Sequence, residues 1–369
     1  MADLDIGLGK SARQGFDLAE VALVPGRRTR DTDLVDLSWE LDAFRFDLPF
    51  LAAPLDGIVS PETAAQIGAI GGGAVLDLEG LWTRHDDPGP LIERIIELPD
   101  QQVTSELQKL YAEPIKPELV RDRIKEIRAA GVVSCGAVTP QRTVDLADVL
   151  VKAELDLVVI HGTVVSAEHV TGGAEEPLNL KTFVRRLDIP VVVGGATSYQ
   201  GALHLMRSGA AGVLVGSAGA SDADTAQTLG IGLPQATAIA DVRAARMRHL
   251  DETGVYVQVI AAGPVSSGGD IAKAVALGAD GVLLGPPLAA SDTPGRGYWW
   301  PQTAAHQVVP RGRLSGARRP ETLAQVVTGP GTSVPGTNLM GSLRSAMAMA
   351  GFESLKQLQK AELVVRRRA

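Results

Sequence analysis

The residues best placed to do chemistry lie on one glycine-bordered loop and at the ends of two apolar runs. The loop reads Gly216-Ser217-Ala218-Gly219-Ala220-Ser221-Asp222-Ala223-Asp224-Thr225-Ala226-Gln227. Asp222 and Asp224 set two carboxylates beside the Thr225 hydroxyl, a set suited to acid–base work or to one edge of a cation site. With no third ligand close in sequence, such loop carboxylates are more often simply solvated. His161 follows the run 157–160, and Asp77 and Glu79 fall at the end of the run 74–78. Cys135, the only cysteine, sits inside Val132-Val133-Ser134-Cys135-Gly136 and reads as a packing residue more readily than as a nucleophile. One cysteine allows no intrachain disulfide, which suits a reducing compartment. His85, His169, His204, His249 and His306 show no metal-ligand spacing, so no metal is expected. Gly71-Gly72-Gly73 and Ser266-Ser267-Gly268-Gly269 lack the spaced dinucleotide fingerprint, and tight turns explain both.

These positions need a frame, and the chain supplies a repeating one. Strands are expected at 50–53, 74–78, 132–137, 157–160, 191–194, 212–215, 255–260 and 281–284. Most are continuous apolar runs, such as Val191-Val192-Val193, which implies burial on both faces in a parallel sheet. Helices are expected between them at 61–70, 117–130, 143–153, 180–187, 199–208, 235–250 and 270–277, with a last one at 339–350. Ser60-Pro61 gives a cap followed by a proline at the first helical position. Eight strands alternating with helices predict an α/β fold, a single-domain (β/α)8 TIM barrel. Catalytic residues of such barrels gather at the C-terminal ends of the strands, where His161, Asp77 and Glu79 fall. Residues 1–49, with Trp39, Phe44 and Phe46, are expected to pack on the barrel as an N-terminal extension closing its bottom. Residues 50–369 carry the barrel with its C-terminal loop and helix. Residues 291–335, rich in glycine, proline and arginine, are expected to run over the top face. There the Trp299-Trp300 pair reads as packing in preference to base stacking.

Bulk properties narrow the function classes. The 369 residues have 45% hydrophobic content and a formal net charge of −8. Nucleic-acid binding wants a basic face and is not expected. Arg27, Arg28 and Arg30, and Arg366 to Arg368, read as a solvated loop and a frayed tail. No run of about 18 apolar residues predicts a membrane span, and Met1 to Lys10 lack a signal-peptide core. A cytoplasmic location is expected.

Several phrases resemble one family. Gly15-Phe16-Asp17 with Val21-Ala22-Leu23-Val24-Pro25 resembles the N-terminal signature of the IMP dehydrogenase/GMP reductase family. Ala52-Ala53-Pro54-Leu55-Asp56 resembles its strand-one motif. Val193-Gly194-Gly195 and Gly209 to Gly216 resemble the run into its catalytic loop, and Leu229-Gly230-Ile231-Gly232 with Pro234-Gln235 the run out of it. Gly269 to Ala274, Gly295-Arg296-Gly297-Tyr298 and Asn338-Leu339-Met340-Gly341 are similar to its later elements. The likeness spans nearly the whole chain and is nearest to the short branch without CBS domains, since about residues 85–116 leave no room for a CBS pair.

The resemblance implies a purine-nucleotide oxidoreductase that uses NAD(P), with substrate-contacting positions at Asp56, Gly216, Gly263 and Gly285. It also implies a barrel that assembles as a homo-oligomer, a tetramer. In that family a loop cysteine attacks the purine; here Ala223 stands at that position. Thr225 matches a threonine of the proton-handling pair, Asp224 replaces another threonine, and Ala226 replaces an arginine. Ala261-Ala262-Gly263-Pro264 departs from Ala-Asp-Gly-Gly, and Gly285-Pro286-Pro287 from a Gly-Ser turn. Thr303 falls where a catalytic glutamate is expected. Alanine has no nucleophilic atom, so the covalent route is closed at 223. Three readings follow. The chain is inactive in the parental reaction and serves as a structural or regulatory partner, co-assembling with an active paralogue. Or it is an enzyme repurposed for a nucleotide-like substrate through Asp222, Asp224, Thr225 or His161. Or it keeps residual IMP or GMP oxidoreduction.

Overall fold

A computed structural model describes residues 3–162, 165–166, 179–216, 230–232, 234–301, 312–316, 321–329 and 338–366 of the chain. Eight parallel strands form a closed barrel. They are β1 (Phe50–Ala52), β2 (Gly73–Asp77), β3 (Ser134–Val138), β4 (Leu157–His161), β5 (Val191–Ala196), β6 (Gly212–Val215), β7 (Gln258–Ala261) and β8 (Gly281–Leu284). Each pairs with its neighbour in sequence, and β8 closes on β1 through Val282↔Phe50, Leu283↔Leu51 and Leu284↔Ala52. Almost every strand residue is buried, since side chains alternate between the barrel interior and the helical shell. This is the (β/α)8 architecture expected from the apolar runs.

The shell contains α1 (Pro61–Ile70), α2 (Gly89–Glu97), α3 (Asp100–Tyr111), α4 (Pro117–Ala129), α5 (Thr143–Lys152), α6 (Leu180–Arg186), α7 (Tyr199–Arg207), α8 (Gln235–Thr253), α9 (Gly268–Leu277) and α10 (Leu339–Ala350). At α1 the Ser60 hydroxyl accepts from Thr63 N, and Pro61 starts the helix. The largest boundary difference is at β7. Helix α8 runs on to Thr253, Gly254 ends it in the left-handed region, and Val255 is 54% exposed. Residues 255–257 therefore serve as the crossing into β7, although their β-branched composition resembles a strand.

Helices α2 and α3 were not anticipated. They fill the span read only as too short for a CBS pair. They build a second core of Leu81, Ile92, Ile95, Val103, Leu107, Leu110 and Trp300, separate from the main one. The signal was present: Ile92 and Ile95, then Val103, Leu107 and Leu110, recur at helical spacing on either side of Pro99.

At the N-terminal ends of the strands, the pair Trp39–Leu41 and Phe44–Phe46 lies under the barrel. The Trp39 indole donates to Gln258 Oε1 at 3.1 Å at the start of β7. Its ring packs where a Cβ on Gly281 would be 3.1 Å away, and Phe46 lies against Gly73. Among the described residues, no helix is long and apolar enough to cross a membrane.

Candidate functional site

The C-terminal rim gathers three carboxyl side chains from neighbouring strands. Asp56 stands on the turn after β1, Asp77 is the last residue of β2, and Glu79 follows it; all three are buried. Asp56 Oδ2 accepts from the Leu81 amide at 2.8 Å and from the Tyr111 hydroxyl at 2.5 Å. Tyr111 ends α3, and its hydroxyl oxygen accepts in turn from the Trp300 indole at 3.1 Å. Asp77 Oδ1 accepts from the Glu79 amide at 2.9 Å, and Glu79 Oε1 from the Thr139 amide, just past β3, at 2.5 Å. The three acids thereby tie together the rims of β1, β2 and β3.

Backbone shape makes this approach possible. A Cβ on Gly80 would sit 2.2 Å from Asp56 Oδ1, so only glycine lets the carboxyl come so close. A Cβ on Gly57 would lie 2.6 Å from the Tyr298 carbonyl oxygen, which is how residues 295–300 close down over the β1 turn. Gly57→Ala should cost about 1–3 kcal/mol by overpacking, read as a lower urea midpoint with unchanged slope. A shift under about 0.5 kcal/mol would mean that this segment yields freely.

Burial sets the electrostatics. It raises the Asp56 carboxyl to about 6, against the lowering effect of the Tyr111 and Leu81 hydrogen bonds and of the Arg84 charge. Asp77 is pushed well above the carboxylate range, first by burial, then by the charges of Asp56 and Glu79. Asp56 Oδ1 is buried with no hydrogen-bond partner. Burial and the Asp56 charge also raise the Tyr111 phenol. Burial thus favours the protonated form of both aspartates, and among the described residues no cluster of three His, Cys, Asp or Glu side chains could hold a metal ion.

The other anticipated positions stand elsewhere on the rim. His161 ends β4, partly buried, beside Gly194 of β5. Gly216 and Gly263 follow β6 and β7, with Gly216 at φ +116. The buried Gln235 side chain, from the start of α8, packs on both. Its Nε2 donates to the Val215 carbonyl at 3.0 Å, while a Cβ on Gly263 would come within 2.5 Å of its Oε1, and one on Gly216 within 3.0 Å. That Oε1 has no hydrogen-bond partner. Gly285 caps the one-turn helix Pro286–Ala289, beside Leu55 and Ala53. Asp222, Ala223, Asp224 and Thr225 lie outside the described residues.

Cys135 is the second residue of β3, at the end away from the rim, 1% exposed and donating to the Val133 carbonyl. Burial pushes its thiol far up, away from thiolate formation. Tyr111, Arg84 and Gln235 were not anticipated as rim residues. Tyr111 needed α3 to be recognised, and Gln235 needed the β6–β7 geometry that brings two glycines under one amide.

A model of the IMP dehydrogenase / GMP reductase domain matches residues 15–315. An uncharacterized oxidoreductase of Mycobacterium leprae is 47% identical over 374 residues, covering 98% of this chain and 99% of that protein. Inosine-5'-monophosphate dehydrogenase of Haemophilus influenzae is 30% identical over 278 residues, covering 68% of this chain and 52% of that protein. The crystal structure of an IMP dehydrogenase/GMP reductase-like protein from Corynebacterium glutamicum superposes with a TM-score of 0.93 at 42% identity, covering 99% of this chain and 98% of that one.

Proposed function

The chain belongs to the IMP dehydrogenase/GMP reductase family, and we propose that within this oxidoreductase family it is a barrel that does not run the cysteine-dependent reaction on IMP or GMP. In its place the barrel acts as a structural or regulatory partner, as a homo-oligomer or co-assembled with an active paralogue. The carrying observation is the state of the only thiol. Cys135 is buried in β3 away from the rim, and that burial pushes its thiol up, away from thiolate formation. The resemblance puts Ala223 where the attacking cysteine belongs, so no sulfur remains to bond the purine.

A resident nicotinamide cofactor fits the described residues poorly. Gln235 fills the space over Gly216 and Gly263, while Asp56, Tyr111 and Trp300 engage one another. Pro264 and Pro286 offer no backbone N–H at the turns after β7 and β8.

Assays of IMP-dependent NAD reduction and GMP-dependent NADPH oxidation should both read background; sustained turnover in either would overturn the proposal. A second reading, an enzyme repurposed for a nucleotide-like substrate, draws support from the acid cluster at the rim of β1 to β3. Thermal-shift measurements over a purine nucleotide panel separate the two. A specific ligand at 100 times its Kd adds about 2.7 kcal/mol of stability, and the partner reading expects no such shift.

A further inference from the structure

We propose that residues 13–18 form an intramolecular brace that keeps the Gln235 side chain closed over Gly216 and Gly263, with Asp17 and Thr237 as positioning residues. The inference concerns what fills the mouth above β6 and β7, and it holds whether or not the barrel turns over a nucleotide.

The brace comes from the far end of the chain. A hairpin of Asp3–Gly7 and Lys10–Arg13 leads into it. Arg13 grips α8 by two hydrogen bonds to the Asp241 carboxylate, at 2.5 and 3.2 Å. Gly15 lies flat on Pro234, where a Cβ would come within 2.7 Å of the ring. Phe16 and Thr237 bond reciprocally: the Phe16 amide donates to the Thr237 hydroxyl at 2.7 Å, and the Thr237 amide to the Phe16 carbonyl at 3.1 Å. The Gln235 amide donates to Asp17 Oδ1 at 3.3 Å. Lys273, on α9, donates to the Leu18 carbonyl at 2.8 Å and pairs with Asp270 at 3.0 Å.

Helix α8 needs these partners. The first amides of a helix have no acceptor within it, and Pro234 at the N-cap offers no side-chain acceptor. The brace satisfies two of those amides, at Gln235 and Thr237, and sets the Asp17 carboxylate at the positive end of the helix dipole. Gln235 is the first residue of α8 and is 1% exposed. Its Nε2 donates to the Val215 carbonyl, but its Oε1 is buried without a donor, which costs free energy. The amide's own bonds therefore explain only half of its placement, and the braced backbone supplies the rest. Through Lys273 the brace also ties α8 to α9, and Gly263 stands on the turn between β7 and α9. The two helices touch directly as well, where Arg243 packs on Gly278 at the end of α9 away from the mouth. Near the mouth the brace is what keeps residues 234–237 down. With it released, Pro234 and Gln235 can lift, and the space above the two glycines opens.

Hydrogen exchange tests this at Gly216 and Ala262, whose amides are bonded to the Ala196 and Val215 carbonyls and not to the brace. Thr237→Val has a similar shape but no acceptor for the Phe16 amide. It should speed exchange at both positions by about three- to tenfold, and Thr237→Ser should restore the native rates. Asp17→Ala should act in the same direction, and it carries the test if the first variant does not fold. Gln235→Ala should raise the same two rates while leaving the Phe16 amide at its native rate, and adding Thr237→Val to it should raise them no further. A purely local role for residues 13–18 would speed exchange only within 15–20 and 234–241. That pattern, native rates at Gly216 and Ala262 in Gln235→Ala, or a Thr237→Val effect that persists in full beside Gln235→Ala, would overturn the brace.

Discussion

Ala223→Cys should leave the chain without measurable IMP dehydrogenase or GMP reductase turnover. The substitution returns a sulfur to the position where the family resemblance puts the nucleophile, but a thiol works only beside a nucleotide held within attack distance. The anchoring groups are also altered. By the same resemblance, Ala262 stands where a ribose-holding aspartate is expected, Pro264 where a glycine N–H could face a phosphate, and Pro286 and Pro287 where a turn with hydroxyl and N–H donors is expected. Three lost contacts at about 1–3 kcal/mol each weaken binding by about 10²- to 10⁶-fold. Adding Ala262→Asp and Pro264→Gly to Ala223→Cys should first restore nucleotide binding, visible as a thermal shift, before any turnover appears. Recovery of turnover from the single change would mean that the mouth still binds nucleotide well, and the partner role would lose its basis.

The barrel was legible because its strands are buried on both faces. Val191-Val192-Val193 in β5 and Gly212–Val215 in β6 read as strands and are strands. Legibility failed where local composition and tertiary role diverge. Val255, Tyr256 and Val257 have the composition of a strand, but α8 uses up the room for one. Asp56 was legible through its motif, and Asp77 and Glu79 through their place at a strand end. Their union was not, because Tyr111 is 55 residues from Asp56 and reaches it only through a helix whose apolar spacing went unread. The Trp299-Trp300 pair reads as packing, and Trp300 is fully buried. Its indole N–H to Tyr111 is a tertiary fact that no local pattern encodes. The loop residues Asp222, Asp224 and Thr225 remain tied to the proposal through resemblance alone.

Asp280→Ala should be the most destabilising single substitution away from the mouth, by about 3–5 kcal/mol. Asp280 lies just before β8 at the closed end of the barrel, and its carboxylate accepts four hydrogen bonds. Oδ2 takes Arg246 Nη1 at 2.6 Å and the Val259 amide at 2.8 Å; Oδ1 takes the Tyr256 hydroxyl at 2.6 Å and Gln359 Nε2 at 2.9 Å. The Arg246 and Asp280 side chains are only 1% and 4% exposed, so solvent screens the pair little. Arg246 also stacks 4.7 Å from the centre of the Tyr256 ring, and its Nε has no hydrogen-bond partner. Removing the carboxylate strands a buried guanidinium, an amide and a phenol at once, and that desolvation dominates the loss. Replacing both charges, as Arg246→Met with Asp280→Asn, should therefore cost less than Asp280→Ala alone, since no buried charge is left uncompensated. Urea unfolding of the three variants reads these differences. If Asp280→Ala cost under about 1 kcal/mol, or the double replacement cost more than it, the network would be carrying little of the barrel's stability. The matching phrases Ser208-Gly209-Ala210-Ala211-Gly212 and Leu277-Gly278-Ala279-Asp280-Gly281 show what is special here. Both are the same helix-to-strand turn, and the position filled by Ala211 in one is filled in the other by the residue that ties α8, β7 and the 355–359 segment to the barrel.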